Sequence, residues 1–256
     1  MITIGIGCGV DAAAKVIRSA DRVASADLHI RCYCFLGAAE CLSAGPYTEF
    51  AVCPVPSQRL VDDLLAGNID GAVRGTLPAT ETLHCLKKSC GVLRLERIAL
   101  LETADHQQFF LAPVGVDEGW TIEEKVSLAR DGRKLARNLG LSEKTAVLSG
   151  GRLGDLGRHP IVDKTIADAE EVAKLTGAVH GEILIEDAAK DCGVIIAPDG
   201  ISGNLIFRTL TFLGHGAGHG APVVNISPVF VDSSRASAGY EGSLRLAAVL
   251  ALRKKQ

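Results

Sequence analysis

Short apolar runs alternate along the chain with longer stretches in which apolar residues recur every three or four positions, the pattern of strands separated by helices. Strand-like runs occupy residues 1–6, 50–53, 71–73, 97–101, 108–112, 145–148, 181–185, 193–196 and 223–225. The clearest helix spans 121–139, where Thr121 can cap and Glu124 completes a capping box. Its apolar stripe is Ile122, Val126, Leu128, Ala129, Leu135 and Leu139, and Gly140 supplies a C-terminal stop. Two further helices are expected at 163–175 and at 242–255, the latter basic in its last turn as the helix dipole favours. Alternating strands and helices predict an α/β protein with parallel sheets covered by helices. No internal repeat and no Ser/Pro linker divides the chain.

Composition narrows the possible roles. The 256 residues are 47% apolar, enough for one large α/β unit or two modest lobes. A net charge of −3 gives neither a polybasic nucleic-acid surface nor an acidic tail. Aromatics make up only 4%, too few for a base-stacking platform. The mean hydropathy of +0.23 is high, yet the densest apolar stretches, 192–198 and 223–232, are strand-length and broken by polar or turn residues. None reaches the ~18 apolar residues of a bilayer-spanning helix. The opening MITIGIGCGVD has no basic n-region and no A-x-A site. A cytoplasmic protein without membrane span or nucleic-acid partner is expected. Seven cysteines (Cys8, Cys32, Cys34, Cys41, Cys53, Cys85 and Cys90) fall in the first 90 residues without C-x2-C doublets. They read as small, buried, reduced thiols, and no metal site is assigned.

Glycine is concentrated at suspected strand-to-helix turns. Gly5-x-Gly7-x-Gly9 is a tight turn rather than the G-x-G-x-x-G dinucleotide fingerprint, although Asp27 follows at a suitable distance. Ser149-Gly150-Gly151-Arg152-Leu-Gly154 follows a strand and can gather amides, a hydroxyl and a cation around an anion. Equally, it can be a crossover loop whose glycines serve sterics. Asp199-Gly-Ile-Ser202-Gly203-Asn204 precedes an apolar segment, and Ser202 or Asn204 can cap the helix there. His215 and His219 sit in a glycine-rich stretch that reads as a flexible loop. Near the C-terminus, Asp232-Ser233-Ser234-Arg235 leads to Glu241 six residues after the arginine. Arg235 offers a planar fork for phosphate, and the serines offer donors. Alternatively, Asp232 and Ser234 cap a turn and Arg235 pairs with Glu241.

From Gly67 onward the order of motifs resembles the phosphate acetyl/butyryl transferase superfamily, which also touches the fatty-acid phosphate acyltransferases. Asn68-Ile-Asp-Gly-Ala-Val-Arg74-Gly75 is similar to its "ADG-x-V-x-G" segment. Ala146-Val-Leu-Ser149 and His159-Pro-Ile-Val-Asp-Lys164 resemble "A-M-L-S…VDK", and His180-Gly-Glu-Ile-Leu-Ile-Glu-Asp-Ala-Ala189 resembles "DGELQ-x-DAA". Pro198-Asp-Gly-Ile-Ser-Gly203-Asn204 resembles "PD-x-x-x-GN", and Asp232-Ser-Ser-Arg235 resembles "ND-L-S-R". Within this superfamily the whole chain looks most like the MtxX family of methanogenic archaea, labelled methyltransferases for their association with methyl transfer to coenzyme M.

The resemblance implies two α/β lobes of isocitrate-dehydrogenase-like, phosphotransacetylase-type architecture with an interlobe cleft. One lobe would hold residues 1–95 plus 220–256, the other 96–219. It implies a transferase linked to methanogenesis, commonly dimeric, that takes an anionic substrate bearing phosphate or thiol. CoA or a coenzyme M-like thiol would be the substrate, and a methyltransferase-complex or corrinoid protein a partner. Ser234, Arg235 and Glu241 would be catalytic, the carboxylate accepting a thiol proton. Arg74, Gly75, Ser149, Gly150, Gly151, Arg152, Gly203 and Asn204 would bind the anion. The chain departs from the acetyltransferase pattern in its shorter N-terminal part, in Arg74 for a small residue, and in Glu241 for aspartate. It also lacks a cobalamin-binding D-x-H-x-x-G run. A phosphate acyltransferase and a non-catalytic anion-binding accessory protein are the alternatives.

Overall fold

The computed structural model describes residues 1–39 and 43–255, so Cys41 lies outside the described residues. In chain order these form β1 (Ile2–Cys8), α1 (Ala13–Val23), β2 (Leu28–Cys34), α2 (Leu36–Ala39), β3 (Thr48–Val52), α3 (Pro56–Leu65), β4 (Gly71–Val73) and α4 (Ala79–Cys90). Next come β5 (Ala99–Glu102), β6 (Gln108–Ala112), α5 (Ile122–Leu139), β7 (Thr145–Leu148), α6 (Pro160–Thr176), β8 (Val179–Glu182), α7 (Ile185–Asp191), β9 (Val194–Ile196) and α8 (Gly200–Phe212). The chain ends with β10 (Ala217–Gly218), β11 (Ala221–Pro222), β12 (Phe230–Asp232) and α9 (Glu241–Lys255). They divide into two compact units, Met1–Leu95 with His219–Gln256, and Glu96–Gly218. Among the described residues no helix is long and apolar enough to cross a membrane.

The first unit holds a six-stranded sheet in the order β11-β12-β4-β1-β2-β3. All pairs are parallel except β11 with β12. The chain runs outward from β1 to β2 and β3, then returns through α3 to β4 on the other side of β1. The order therefore reverses between β1 and β4, and the crevice beyond the carboxyl ends of strands at such a reversal is where α/β sheets take ligands. Its central strand is nearly continuously buried, as expected where helices cover both faces of a parallel sheet. Ile4, Ile6, Ile30, Leu60, Leu77 and Phe230 fill the core.

The second unit has the order β10-β5-β6-β9-β7-β8, parallel from β6 to β8 and antiparallel at β5. Here the reversal falls between β7 and β9. Helix α5 follows the expectation from its caps: Thr121 Oγ1 accepts from the Glu124 amide, and Gly140 ends it in the left-handed conformation. Within it, Gly132 permits close approach to β9, because a Cβ there would lie 2.7 Å from Val194 Cγ1.

Several elements depart from the sequence expectation. Strand β2 was not foreseen: its alternating Ile30, Cys32 and Cys34 turn into the core, and cysteine here serves as a small apolar strand residue. Residues 181–185 divide instead between the end of β8 and the start of α7. Helix α8 begins already at Gly200, ahead of both expected caps, because Asp199 rather than Ser202 or Asn204 caps it.

Candidate functional site

In the first unit the carboxyl ends of β1, β4 and β12 lie side by side at the reversal point. Arg74, just after β4, is buried, with 5% of its surface exposed. Its guanidinium pairs with Asp232 at the end of β12, donates to the Ser233 carbonyl, and reaches the Leu77 carbonyl at 2.8 Å. Its donors are thus turned into the protein, and it ties two strand ends together. The sequence offers Arg74 to an anion, whereas in the structure its guanidinium faces protein acceptors. Gly75 also has a steric role: it sits at φ 62°, and a Cβ there would lie 2.1 Å from the Gly7 carbonyl. Gly5 and Gly7 lie inside β1 rather than in the expected tight turn, and the Gly9 amide just after the strand is taken by Thr76 Oγ1 at 2.8 Å.

The segment after β12 forms a closed turn. Ser234 Oγ accepts from the Ala236 amide at 3.2 Å, and the Ser234 carbonyl accepts from the Ser237 amide at 3.2 Å. From just before α9 the Tyr240 hydroxyl donates to that same carbonyl at 3.1 Å. Burial pushes the Tyr240 hydroxyl up to about 12, against the pull of Arg74 and Arg235, so it stays a donor at neutral pH. From α1 the Lys15 ammonium reaches the carbonyls of Arg235 and Ser237 at 3.1 and 2.7 Å. Arg235 itself is exposed, and its guanidinium carries no hydrogen bond or ion pair to another described residue. A planar cation on a pinned turn, beside a strand-order reversal, can accept a phosphate, sulfonate or carboxylate.

Glu241 does not pair with Arg235. Its Oε1 accepts from Arg22 Nη1 at 3.0 Å. Burial raises its carboxyl, but its own backbone amide, Arg22 and the Ser19 hydroxyl outweigh that and hold it below the usual glutamate range. A carboxylate so held is a poor proton acceptor for a thiol. Lys15, Ser19, Arg22 and Tyr240 were all missed in the sequence. The available signal was the basic spacing Lys15, Arg18, Arg22 on one face of α1.

In the second unit the Ser149 loop is satisfied from within. Ser149 is buried, its hydroxyl donating to the Gly151 carbonyl at 2.8 Å and meeting His180 Nε2 at 2.9 Å. The Gly150 amide is taken by Thr165 Oγ1, the Arg152 amide by Asp155 Oδ2 and the Leu153 amide by Glu182 Oε1. Two of these three acceptors are carboxylates, an unfavourable setting for a second anion. Gly150 and Gly151 make room for α6, since Cβ atoms there would lie 2.9 Å from Thr165 Oγ1 and 2.7 Å from Val162 Cγ1. Of the two readings left open for this loop, the steric one accounts for its backbone. Arg152 is exposed, with no hydrogen bond or ion pair from its guanidinium to a described residue.

Gly203 and Asn204 lie inside α8, and Asn204 is not its cap. A Cβ on Gly203 would stand 1.9 Å from the Pro113 carbonyl, and Asn204 Nδ2 donates to the Val114 carbonyl at 2.9 Å. The sequence offers both to an anion, whereas in the structure both pack α8 against the segment after β6. Among the described residues no group of three or more His, Cys, Asp and Glu side chains could hold a metal ion. The thiols of Cys8, Cys32 and Cys34 are buried. A hydrogen bond with Cys32 and burial raise Cys8, and burial brings Cys34 to about 11.

No family model matches the chain. A protein of Methanosarcina acetivorans named "Putative methyltransferase mtx subunit X" is 48% identical over 206 residues, covering 78% of this chain and 74% of that protein. An uncharacterised methyltransferase of Methanocaldococcus jannaschii is 40% identical over 188 residues, covering 69% and 76%. Among solved structures, a branched-chain phosphotransacylase from Enterococcus faecalis aligns with a TM-score of 0.78 at 20% identity over 98% of this chain and 99% of its own. A phosphotransacetylase from Streptococcus pyogenes aligns with a TM-score of 0.70 at 17% identity over 99% and 94%. The fold is therefore of the phosphotransacetylase type, and the relatives are named as transferases. By its identity to curated proteins over most of both sequences, the chain belongs to the mtx subunit X (MtxX) family.

Proposed function

We propose that the protein is a transferase that seats an anionic substrate against Arg235 at the carboxyl ends of β4 and β12, and moves a methyl group to a thiol. The observation that carries this reading is the Arg235 guanidinium, which has no hydrogen bond or ion pair to another described residue and sits on a turn that Lys15 and Tyr240 hold in place. Methyl transfer is supported by the names of the relatives, at 40–48% identity. A coenzyme M-like acceptor fits the site chemistry, because its anionic group would meet Arg235 while its thiol faces the donor. The acceptor sulfur, as thiolate, forms the bond to the methyl carbon while the donor–methyl bond breaks, and the donor keeps the electron pair. With Glu241 held by Arg22 and Ser19, the thiol proton passes to solvent. Ser234 shapes the turn through its hydroxyl and carbonyl, and Arg235 orients the acceptor.

The test is transfer of labelled methyl from methylcobalamin or S-adenosylmethionine to coenzyme M, run beside acetyl phosphate with CoA. Methyl thioether formation that falls about a hundredfold in Arg235→Ala supports the reading. Thioester from acetyl phosphate would replace it with acyl transfer. Phosphate-dependent stabilisation without turnover of any pair would replace it with an accessory role.

A further inference from the structure

The turn that presents Arg235 has few carbonyls left to face a ligand. The Ser234 carbonyl is taken by the Tyr240 hydroxyl and the Ser237 amide. Those of Arg235 and Ser237 are both taken by one ammonium, Lys15 Nζ, which also stands 5.3 Å over the Tyr240 ring. A carbonyl oxygen turned toward a bound anion repels it, whereas one bonded to a cation has its negative end covered. An ammonium has three donors on a compact centre and can serve two carbonyls and an aromatic face together. Lys15 precedes the turn by 220 residues, so this link exists only in the folded chain.

We propose that Lys15 is a positioning residue of the anion site, drawing the carbonyls of Arg235 and Ser237 toward α1 so that the turn offers donors to the substrate. This rests on the reading of Arg235 given above. It adds that α1 sets the affinity of the turn for anions without an Arg235 side-chain contact. Lys15→Met frees two carbonyls and loosens the turn. Lys15→Arg can still donate to both.

The experiment is calorimetric titration with inorganic phosphate of the full chain and of Lys15→Met, Lys15→Arg and Arg235→Ala, with hydrogen exchange read at the Ala236 and Ser237 amides. Lys15→Met is expected to weaken phosphate binding about tenfold. Exchange at both amides should quicken at least about tenfold, with melting temperature lowered by only about 5 °C or less. Lys15→Arg should restore most of the affinity, a rescue that general loss of packing would not give. Unchanged affinity or unchanged exchange in Lys15→Met, while Arg235→Ala loses binding, overturns the role of Lys15 alone. Wild-type affinity in Arg235→Ala, or no phosphate binding by the wild type, overturns the Arg235 reading and this inference with it.

Discussion

Glu241 and Arg22 form an ion pair of 3.0 Å between the first residue of α9 and the last turn of α1. The carboxylate that a thiol base would need is thereby committed to a cation. Glu241→Gln is expected to lower the turnover of labelled methyl by less than about tenfold, where loss of a general base costs about 10²–10⁴. Measuring kcat with saturating coenzyme M decides between the two.

The same pair has a pH signature. Because the folded-state pKa of Glu241 is lowered, its contribution to stability is present above the ordinary glutamate value of 4.5 and is lost as pH falls through the lower folded value. With the Glu241 side chain 24% exposed and Arg22 70% exposed, the contribution is about 0.5–1 kcal/mol. Urea unfolding should show wild type more stable than Glu241→Gln at pH 7, with the difference closing below the glutamate range. An undiminished difference at pH 2.5–3, roughly a unit or more below that range, would contradict the assignment.

Arg74 and Asp232 form the buried counterpart. Truncating the cation takes the guanidinium away from two carbonyls and from a buried carboxylate that keeps the Ser233 amide, so Arg74→Met should cost about 3–5 kcal/mol. A chemical denaturation midpoint within error of wild type would return Arg74 to the list of ligand-binding groups.

Gly203 tests the packing role of α8. Alanine gains about 1 kcal/mol in helix propensity, but its Cβ would stand 1.9 Å from the Pro113 carbonyl. A backbone atom cannot rotate away, so the clash wins and Gly203→Ala should lose about 1–3 kcal/mol net. Phosphate affinity should stay near wild type, which calorimetry on the folded variant would show.

How far the sequence reveals the molecule depends on the range of each interaction. Helix α5 is written in residues at its own two ends, Thr121, Glu124 and Gly140, and its caps stand where the spacing puts them. The Gly203–Asn204 pair looks equally local but misleads, because Asp199 caps α8 and the glycine answers to a carbonyl 90 residues away. Strand β2 is obscured because cysteine reads as reactive chemistry before it reads as a small core side chain. The order of motifs pointed to the family and to Arg235. The neighbours Lys15 and Arg22 meet that segment only through the returning C-terminal strand and helix, and no short-range pattern encodes the contact.

The central claim is tested most directly by a crystal structure of the protein grown in sulfate. The account requires a sulfate within hydrogen-bonding distance of the Arg235 guanidinium, beside the strand ends that Arg74 and Asp232 join. Ordered sulfate elsewhere on the molecule, with Arg235 surrounded only by water, would contradict it.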